Sequence, residues 1–376
     1  MVDLSRLNTP QHQAVTAPDG PVLVLAGPGS GKTRVLTLRI AYLVGARDIP
    51  PDRLLALTFP NKAARAMEER ANQMLGGEGR RLEGIWMGTF HAMCARLLRR
   101  EARDHLAIKS NFVIMDSDDQ ESLVRRILKE MNVSDKAVKP ASVHAAISSA
   151  KNELLDPEDY PNSNYRDQIV RRAYQRYQQL LQENNAVDFD DLLLLTVRLL
   201  QGNETIRNYY ARRFEHVLVD EFQDTNTAQY ELVRLLSSKH KNLFVVGDED
   251  QSIYRWRGAD FRNVLRFEQD YPGCTKVLLE QNYRSTQTVL DAARAVIDKN
   301  RDRTRKALFS DRGAGEPIQF HEAVDDRAEA QFVVDTILGL VTSARAKAGD
   351  FAVMYRTNAQ SRLLEEAFLR SGLPYR

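Results

Sequence analysis

Residues 26–34, AGPGSGKTR, have the residue types and spacing of a phosphate-binding loop. Glycines let the backbone pass close to phosphate oxygens, and the N-terminus of a following helix attracts an anion. Lys32 would neutralise the β- and γ-phosphates of a nucleotide, and the Thr33 hydroxyl would ligate Mg²⁺. Ala26 stands where the strict pattern has glycine, and the GKT core favours this interpretation over an ordinary glycine-rich turn. The other small residues predicted to line the loop are Gly27, Gly29, Ser30 and Gly31.

An acidic pair follows a second apolar run, in HVLVDEFQD. Asp220 is placed to hold Mg²⁺ through water, and Glu221 to polarise an attacking water molecule. The alternative is a charge cluster at a helix N-terminus, because DTN follows. A nucleotide binder needs only the aspartate, so the Asp–Glu pair predicts hydrolysis.

Three more side chains have chemistry that suits this site. Gln251 could hydrogen-bond both the γ-phosphate and the attacking water. Arg284, in EQNYRS, could be an arginine finger supplied in cis, and a surface salt bridge is the open alternative. Tyr283 could stack on a base.

The loop GDEDQSIYRWRGA, residues 247–259, joins an acidic half to a basic and aromatic half. Acidic residues suit a metal–phosphate site, whereas arginines beside aromatic rings suit a nucleic-acid strand. Tyr254 and Trp256 could instead be core residues. Arg255 and Arg257 next to them favour the nucleic-acid interpretation.

The elements that must position these residues are short apolar runs, each followed by a helical pattern. Such alternation predicts an α/β fold with a parallel sheet covered on both faces. Ligands then lie at the carboxyl ends of the strands, where every polar cluster named above falls. Residues 105–187 interrupt this alternation and predict a helical insertion. Within it, an apolar stripe through Tyr174 and Tyr177 predicts residues of a hydrophobic core.

Composition limits the remaining options. The 376 residues carry 53 basic and 51 acidic side chains, so any basic surface must be local. Two cysteines far apart in the sequence predict neither a zinc site nor a disulfide framework. No signal-like N-terminus or long apolar run occurs. These features predict a soluble, cytoplasmic protein with no membrane partner.

The motifs together resemble those of superfamily 1 DNA helicases of the UvrD/Rep/PcrA type. The resemblance spans the chain, in family order, and it rests on nine segments: LNTPQHQAV, AGPGSGKTR, TFPNKAA, GTFHAMCARLL, DFDDLL, VDEFQDTN, GDEDQSIYRWRGA, LEQNYRS and YRTNAQSR. It implies a P-loop RecA-like motor domain at 1–104 and 188–285, interrupted by the helical insertion. Residues 286–376 would be the first part of a second RecA-like domain.

The resemblance also implies roles for individual residues. Gln11 matches an adenine-reading glutamine, Tyr283 an adenine-stacking tyrosine, Arg284 the γ-phosphate arginine, and Arg34 lies beside the nucleotide. Pro60 replaces the usual threonine of TFTNKAA, which puts a phosphate contact there in doubt. The positions that match the single-strand channel are Phe59, Asn61, His91, Phe189, Tyr254, Trp256 and Arg257 from the first motor domain and Arg356 and Asn358 from the second.

By this resemblance the expected activity is ATP-dependent, Mg²⁺-dependent 3′→5′ translocation on single-stranded and forked DNA, in repair or replication, with partner proteins from those processes. The later family motifs are absent, so we expect an N-terminal portion that is not a complete motor and hydrolyses ATP slowly. Two alternatives stay open. One is a nucleotide-gated DNA- or protein-binding module, and the other is a fragment of a RecB/AddA-like helicase–nuclease subunit.

Overall fold

A computed structural model describes residues 2–75, 82–134, 138–253, 258–260, 262–300 and 304–376, without the side chains of 102–104. Contacts divide the chain into a larger unit that ends at Gly315 and a smaller unit from Glu316 to Arg376. The domain boundaries given above stay a prediction.

The larger unit is built on a six-stranded sheet in which every pair of neighbours is parallel, in the order β3-β2-β6-β7-β1-β8. This confirms the predicted α/β class. The strands are β1 (Val22–Ala26), β2 (Leu54–Thr58), β3 (Trp86–Thr89), β6 (His216–Val219), β7 (Leu243–Gly247) and β8 (Thr275–Leu279). A separate two-stranded parallel sheet pairs β4 (Val113–Ile114) with β5 (Ala186–Val187); two-residue strands carry too little pattern to be predicted.

Successive residues of the central strands enter two different cores. Leu23 and Leu25 of β1 pack in one cluster, and Val22 and Val24 in the other. Because side chains alternate along a strand, the sheet is covered on both faces. The helices of the larger unit are α1 (Thr9–Val15), α2 (Lys32–Gly45), α3 (Asn61–Met74), α4 (Phe90–His105), α5 (Ser117–Glu130), α6 (Pro140–Asn152), α7 (Tyr165–Glu183), α8 (Phe189–Gly202), α9 (Glu204–Arg213), α10 (Thr227–Leu236), α11 (Arg262–Asp270) and α12 (Gln287–Ile297).

Helices α5, α6 and α7 share a third apolar core of their own. Tyr174 and Tyr177 are fully buried in it, as the stripe in the sequence predicts. The helix α8 returns the chain to the central sheet. It begins with a capping box between Asp188 and Asp191, so the acidic DFDD segment caps a largely buried helix.

In the smaller unit, α13 (Asp326–Thr342) packs against α14 (Ser361–Ser371) around Val334, Ile337 and Ala367. No strand is assigned between residues 316 and 376, all of which are described. Among all the residues described, no helix is both long and apolar enough to cross a membrane.

Candidate nucleotide site and nucleic-acid surface

The loop between β1 and α2 has the backbone of a phosphate cradle. Gly29 and Gly31 have φ values of 65° and 90°, in the left-handed region that favours glycine. A Cβ atom at Gly29 would lie 2.8 Å from the Asn282 side-chain nitrogen, so glycine is required there for space as well. The Ser30 hydroxyl donates to the Gly27 carbonyl at 2.7 Å and closes the turn.

Lys32, at the first turn of α2, is the centre of the site. Its Nζ lies 3.1 Å from Glu221 Oε2 and donates to Gln251 Oε1, also at 3.1 Å. Three predicted catalytic residues, from β1–α2, β6 and β7, therefore meet at one ammonium group. Glu221 itself has φ 50°, a strained backbone for a non-glycine residue at the end of a strand. Its side chain remains one-third exposed, so water reaches it.

The residues predicted to hold Mg²⁺ are also adjacent. The Thr33 hydroxyl donates to Asp220 Oδ2 at 3.3 Å. Burial, and then the neighbouring Glu221, raise the pKa of Asp220 to about 6. Nearby, the buried Oδ1 of Asp224 has no hydrogen-bond partner among the described residues. Hydroxyl and carboxylate oxygens are the ligands that Mg²⁺ prefers. Burial disfavours the charged form of these carboxylates, and a bound cation would stabilise it, so the pocket fits the ion.

The predicted adenine-facing residues gather at one end of the loop. The Gln11 side chain is buried and donates to the Ser30 carbonyl at 2.9 Å, so it is tied to the phosphate cradle. Tyr283 is 44% exposed, and its hydroxyl accepts from Asn8 and donates to Gln281. An exposed aromatic ring held at its polar end is free to offer its face to a base.

The two arginines predicted to lie near the nucleotide, Arg34 and Arg284, are both exposed. Arg34 is exposed and donates to the Arg6 carbonyl at 3.4 Å. Arg284 is exposed, and its backbone N–H is fixed by Asn282 Oδ1 at 2.8 Å. Within the described part of the chain Arg284 makes no ion pair, so the surface salt bridge considered from the sequence is not observed.

Four predicted nucleic-acid residues follow the strands β2 and β3 or begin α8. The Phe59 ring packs against the Phe90 ring in a tilted arrangement, with centroids 5.6 Å apart. His91 meets Phe189 edge-to-face at 6.0 Å, which brings together residues almost a hundred positions apart. Burial lowers the pKa of His91, so this ring favours its neutral form. Asn61 is exposed at the start of α3, which Pro60 precedes as its N-cap residue.

Three of the remaining predicted positions are not described, and two belong to the smaller unit. Tyr254, Trp256 and Arg257 lie outside the described residues. Arg356 and Asn358 belong to the smaller unit, where both are exposed and Asn358 begins a single 3₁₀ turn.

Several residues that hold the site together were not identified from the sequence. Gln223 donates to Glu221 Oε2 at 2.9 Å and accepts from the Asp248 backbone N–H at 2.9 Å, so it joins the ends of β6 and β7. Lys306 lies against Asp248 at 2.7 Å, with both side chains fully buried. The signal for Gln223 was present in the FQD that follows the acidic pair, but Lys306 lies in a segment without a motif.

Known proteins match this chain over nearly its whole length. Residues 7–272 match the profile of the UvrD/REP helicase N-terminal domain, and residues 277–376 that of the UvrD-like helicase C-terminal domain. Over 374 residues, 99% of this chain, it is 49% identical to the ATP-dependent DNA helicase PcrA of Staphylococcus aureus, covering 50% of that protein. Identity to the Staphylococcus epidermidis PcrA is 47%, covering 51%. The chain thus spans about half the length of the curated relatives it matches.

Proposed function

Because the chain belongs to the UvrD/REP helicase family, we propose that it binds Mg·ATP at the β1–α2 loop and hydrolyses it as part of an ATP-dependent DNA helicase. The observation that carries the proposal is the convergence on Lys32 of Glu221 and Gln251, each 3.1 Å away. A phosphate-neutralising lysine, a solvent-accessible carboxylate and an orienting amide are the groups that hydrolysis of a γ-phosphate needs.

In the proposed reaction, backbone N–H groups of residues 27–31 and Lys32 bind the phosphate oxygens. Arrival of a γ-phosphate gives Lys32 a stronger partner than Glu221, since charge-assisted contacts to phosphate are strong. Glu221, released and still reached by water, then accepts a proton from the water that attacks the γ-phosphorus. The bond from that phosphorus to the β–γ bridging oxygen breaks, and ADP is the leaving group. Gln251 orients that water, and Arg284, unpaired among the described carboxylates, stabilises charge on the transferred phosphoryl group.

Thr33 and Asp220 would hold Mg²⁺, the second directly or through water. The ion, when bound, neutralises charge on the β- and γ-phosphate oxygens. Burial, and then the neighbouring Glu221, raise the pKa of Asp224 to about 6. Asp224 would be an outer hydrogen-bond acceptor for water around the ion. At the other end, Gln11 and Tyr283 would contact the adenine, with Arg34 beside the nucleotide.

Single-stranded DNA is the proposed activator. Phe59, Asn61, His91 and Phe189 would form its surface on the larger unit. The Phe189 ring is exposed there, and the Phe59 and His91 rings are half-buried. Aromatic rings at such a surface can stack on bases of any sequence. Tyr254, Trp256 and Arg257, and Arg356 and Asn358 of the smaller unit, stay proposed DNA contacts from the family resemblance alone. Direction of movement, 3′→5′, and a role in repair or replication stay predictions from family resemblance. Nothing in the matches supports the expectation of an incomplete motor, and it forms no part of this proposal.

Steady-state ATP hydrolysis by the purified chain, with and without oligo-dT, tests the proposal. We expect oligo-dT to stimulate turnover, and Glu221→Gln to lower kcat by about 10²- to 10⁴-fold, the usual contribution of a general base. Nucleotide affinity should change little. Glu231→Gln, the same change on α10 at a residue paired with Arg234, is the matched control and should retain turnover.

A rate of ATP hydrolysis that changes neither with oligo-dT nor with Glu221→Gln would overturn the proposal. Tight nucleotide binding without any turnover would instead favour the nucleotide-gated binding module.

A further inference from the structure

Lys306 is a lysine with no exposed side-chain surface, and it faces three carboxylates. Its Nζ lies 2.7 Å from Asp248 Oδ1, 3.0 Å from Asp250 Oδ2 and 3.8 Å from Glu249 Oε1. Asp248 is also fully buried. Although burial alone would lower it, the pKa of Lys306 is raised above its ordinary value by Asp248 and Asp250. A buried carboxylate without such a partner would be strongly destabilising, so Lys306 is needed for this loop to adopt its conformation.

The segment that carries Lys306, residues 304–310, forms a strap over the carboxyl ends of three neighbouring strands. Beyond β7, the Thr304 N–H donates to the Glu249 carboxylate. Beyond β1, Leu308 fills the space that a Cβ at Gly27 would occupy. Beyond β8, Phe309 forms an isolated β-bridge with Gln281, and its carbonyl accepts from the Asn282 N–H at 2.8 Å.

From Lys306 a continuous chain of polar contacts reaches the phosphate-binding lysine. Asp248 uses one carboxylate oxygen for Lys306, and its other oxygen accepts from Gln251 Nε2 at 2.7 Å. That hydrogen bond directs the other end of the amide, Oε1, towards Lys32 at 3.1 Å. A change at Lys306 therefore alters the acceptor that sets which way the Gln251 amide points.

We propose that Lys306 is a positioning residue of the nucleotide site, which fixes Asp248 and thereby holds Gln251 ready to detect a γ-phosphate. This inference rests on the proposed ATP-binding function and deepens it. Lys306 does not touch the nucleotide itself. Its effect must pass through Gln251, and it must appear for nucleotides that have a γ-phosphate and be absent for those that lack one.

The test measures equilibrium binding of Mg·ATPγS and Mg·ADP to the whole chain and to its variants. We expect Lys306→Met to weaken Mg·ATPγS binding by about tenfold, the scale of a lost charge-assisted hydrogen bond, and to leave Mg·ADP binding nearly unchanged. In a Gln251→Ala background the same substitution should have no further effect on the ratio of the two affinities. Arg305→Met, at the exposed neighbour of Lys306, is the matched control.

If Lys306→Met does not fold, Lys306→Arg carries the test, because it keeps the charge and changes only the contact geometry. We expect it to lower the ATPγS-to-ADP affinity ratio below that of the wild type, again only while Gln251 is present. A ratio unchanged in every Lys306 variant that folds, or lowered equally with and without Gln251, would overturn the inference. A wild-type chain that binds neither nucleotide would overturn the proposed function itself, and this inference with it.

Discussion

Two buried lysines of this chain hold carboxylates in opposite ways. Lys151, on α6, lies 2.7 Å from both Asp188 and Asp191, and none of the three side chains is more than 3% exposed. Lys32, in the phosphate-binding loop, has longer contacts of 3.1 Å to Glu221, which is one-third exposed, and to an uncharged amide. The first cluster is closed and fully paired, whereas the second can exchange its partners. Rigidity and ligand exchange therefore require different arrangements of the same residue types.

Their surroundings explain the difference. In the Lys151 cluster, Tyr177 donates to Asp188 at 3.0 Å and Gln178 to Asp191 at 3.1 Å, so little acceptor capacity is left for water. In the Lys32 cluster, Gln223 holds Glu221 at 2.9 Å and can keep doing so when Lys32 moves to a phosphate. No charge is then left buried without a partner, and the exchange costs little.

The closed cluster around Lys151 also lies near the open cluster around Lys32. Asn152, next to Lys151, accepts from Asn226 Nδ2 at 2.5 Å and donates to Asp190. Asn226 caps α10, a few residues beyond Glu221. Helix α6 is thus fixed to the segment that follows Glu221, the proposed general base, and its rigidity helps to define the geometry of that segment.

The largest expected effect comes from breaking the closed cluster. Lys151→Met leaves two buried carboxylates without a cation, so we expect the free energy of unfolding to fall by about 3–5 kcal/mol. Urea denaturation followed by circular dichroism measures it. Lys139→Met, at the exposed N-cap of the same helix, is the matched control. Equal unfolding midpoints for the two variants would show that the cluster contributes no stability.

The same substitution in the open cluster should act on binding and leave stability nearly intact. Lys32→Met removes a charged donor to phosphate, so we expect affinity for Mg·ATP to fall about 10- to 100-fold. Glu221 is partly solvated and keeps Gln223, so the free energy of unfolding should change by less than about 1 kcal/mol.

Isothermal titration calorimetry and urea denaturation separate these two effects. Lys276→Met, which breaks a more exposed pair with Glu268, is the control and should leave nucleotide binding unchanged. A loss of stability in Lys32→Met as large as in Lys151→Met would remove the distinction between the clusters.

The closed cluster should also leave a signature in the pH dependence of stability. Burial, and then Asp188, raise the pKa of Asp191 to about 6. The folded chain then binds a proton near pH 6 that the unfolded chain, whose aspartates titrate near 4, does not. This residue therefore adds stability as the pH falls below 6, by about 1.4 kcal/mol per pH unit until about pH 4.

Asp191→Asn removes that gain. The decrease in the free energy of unfolding that it causes should therefore be greater at pH 5 than at pH 7.5. Urea denaturation at the two pH values checks the difference. Asp118→Asn, an exposed first-turn aspartate of α5, is the control. A cost of Asp191→Asn that is the same at both pH values would contradict the prediction.

The sequence predicted those parts of the site that depend on neighbouring residues. The phosphate-binding loop, the acidic pair after β6 and the parallel sheet each follow from local composition and spacing, and so does the cap of α8. The contacts of two other buried lysines with distant carboxylates were not predicted. Lys306 reaches Asp248 across 58 residues, and Lys151 reaches Asp188 across 37. No local pattern distinguishes a lysine that will be buried against a carboxylate from one that will be solvated, because only the folded backbone brings the partners together.

The smallest expected effect concerns Tyr283, the exposed residue that we propose stacks on the adenine. Tyr283→Ala should lower affinity for Mg·ATP about 2- to 10-fold, the worth of one aromatic stacking contact. Tyr283→Phe keeps the ring and loses only the hydroxyl contacts with Asn8 and Gln281, so it should bind nearly as well as the wild type. Binding of tripolyphosphate, which has no base, should be equal in all three. If Tyr283→Ala weakened the binding of tripolyphosphate as much as that of ATP, the ring would act by supporting the phosphate-binding loop and not by stacking on the base.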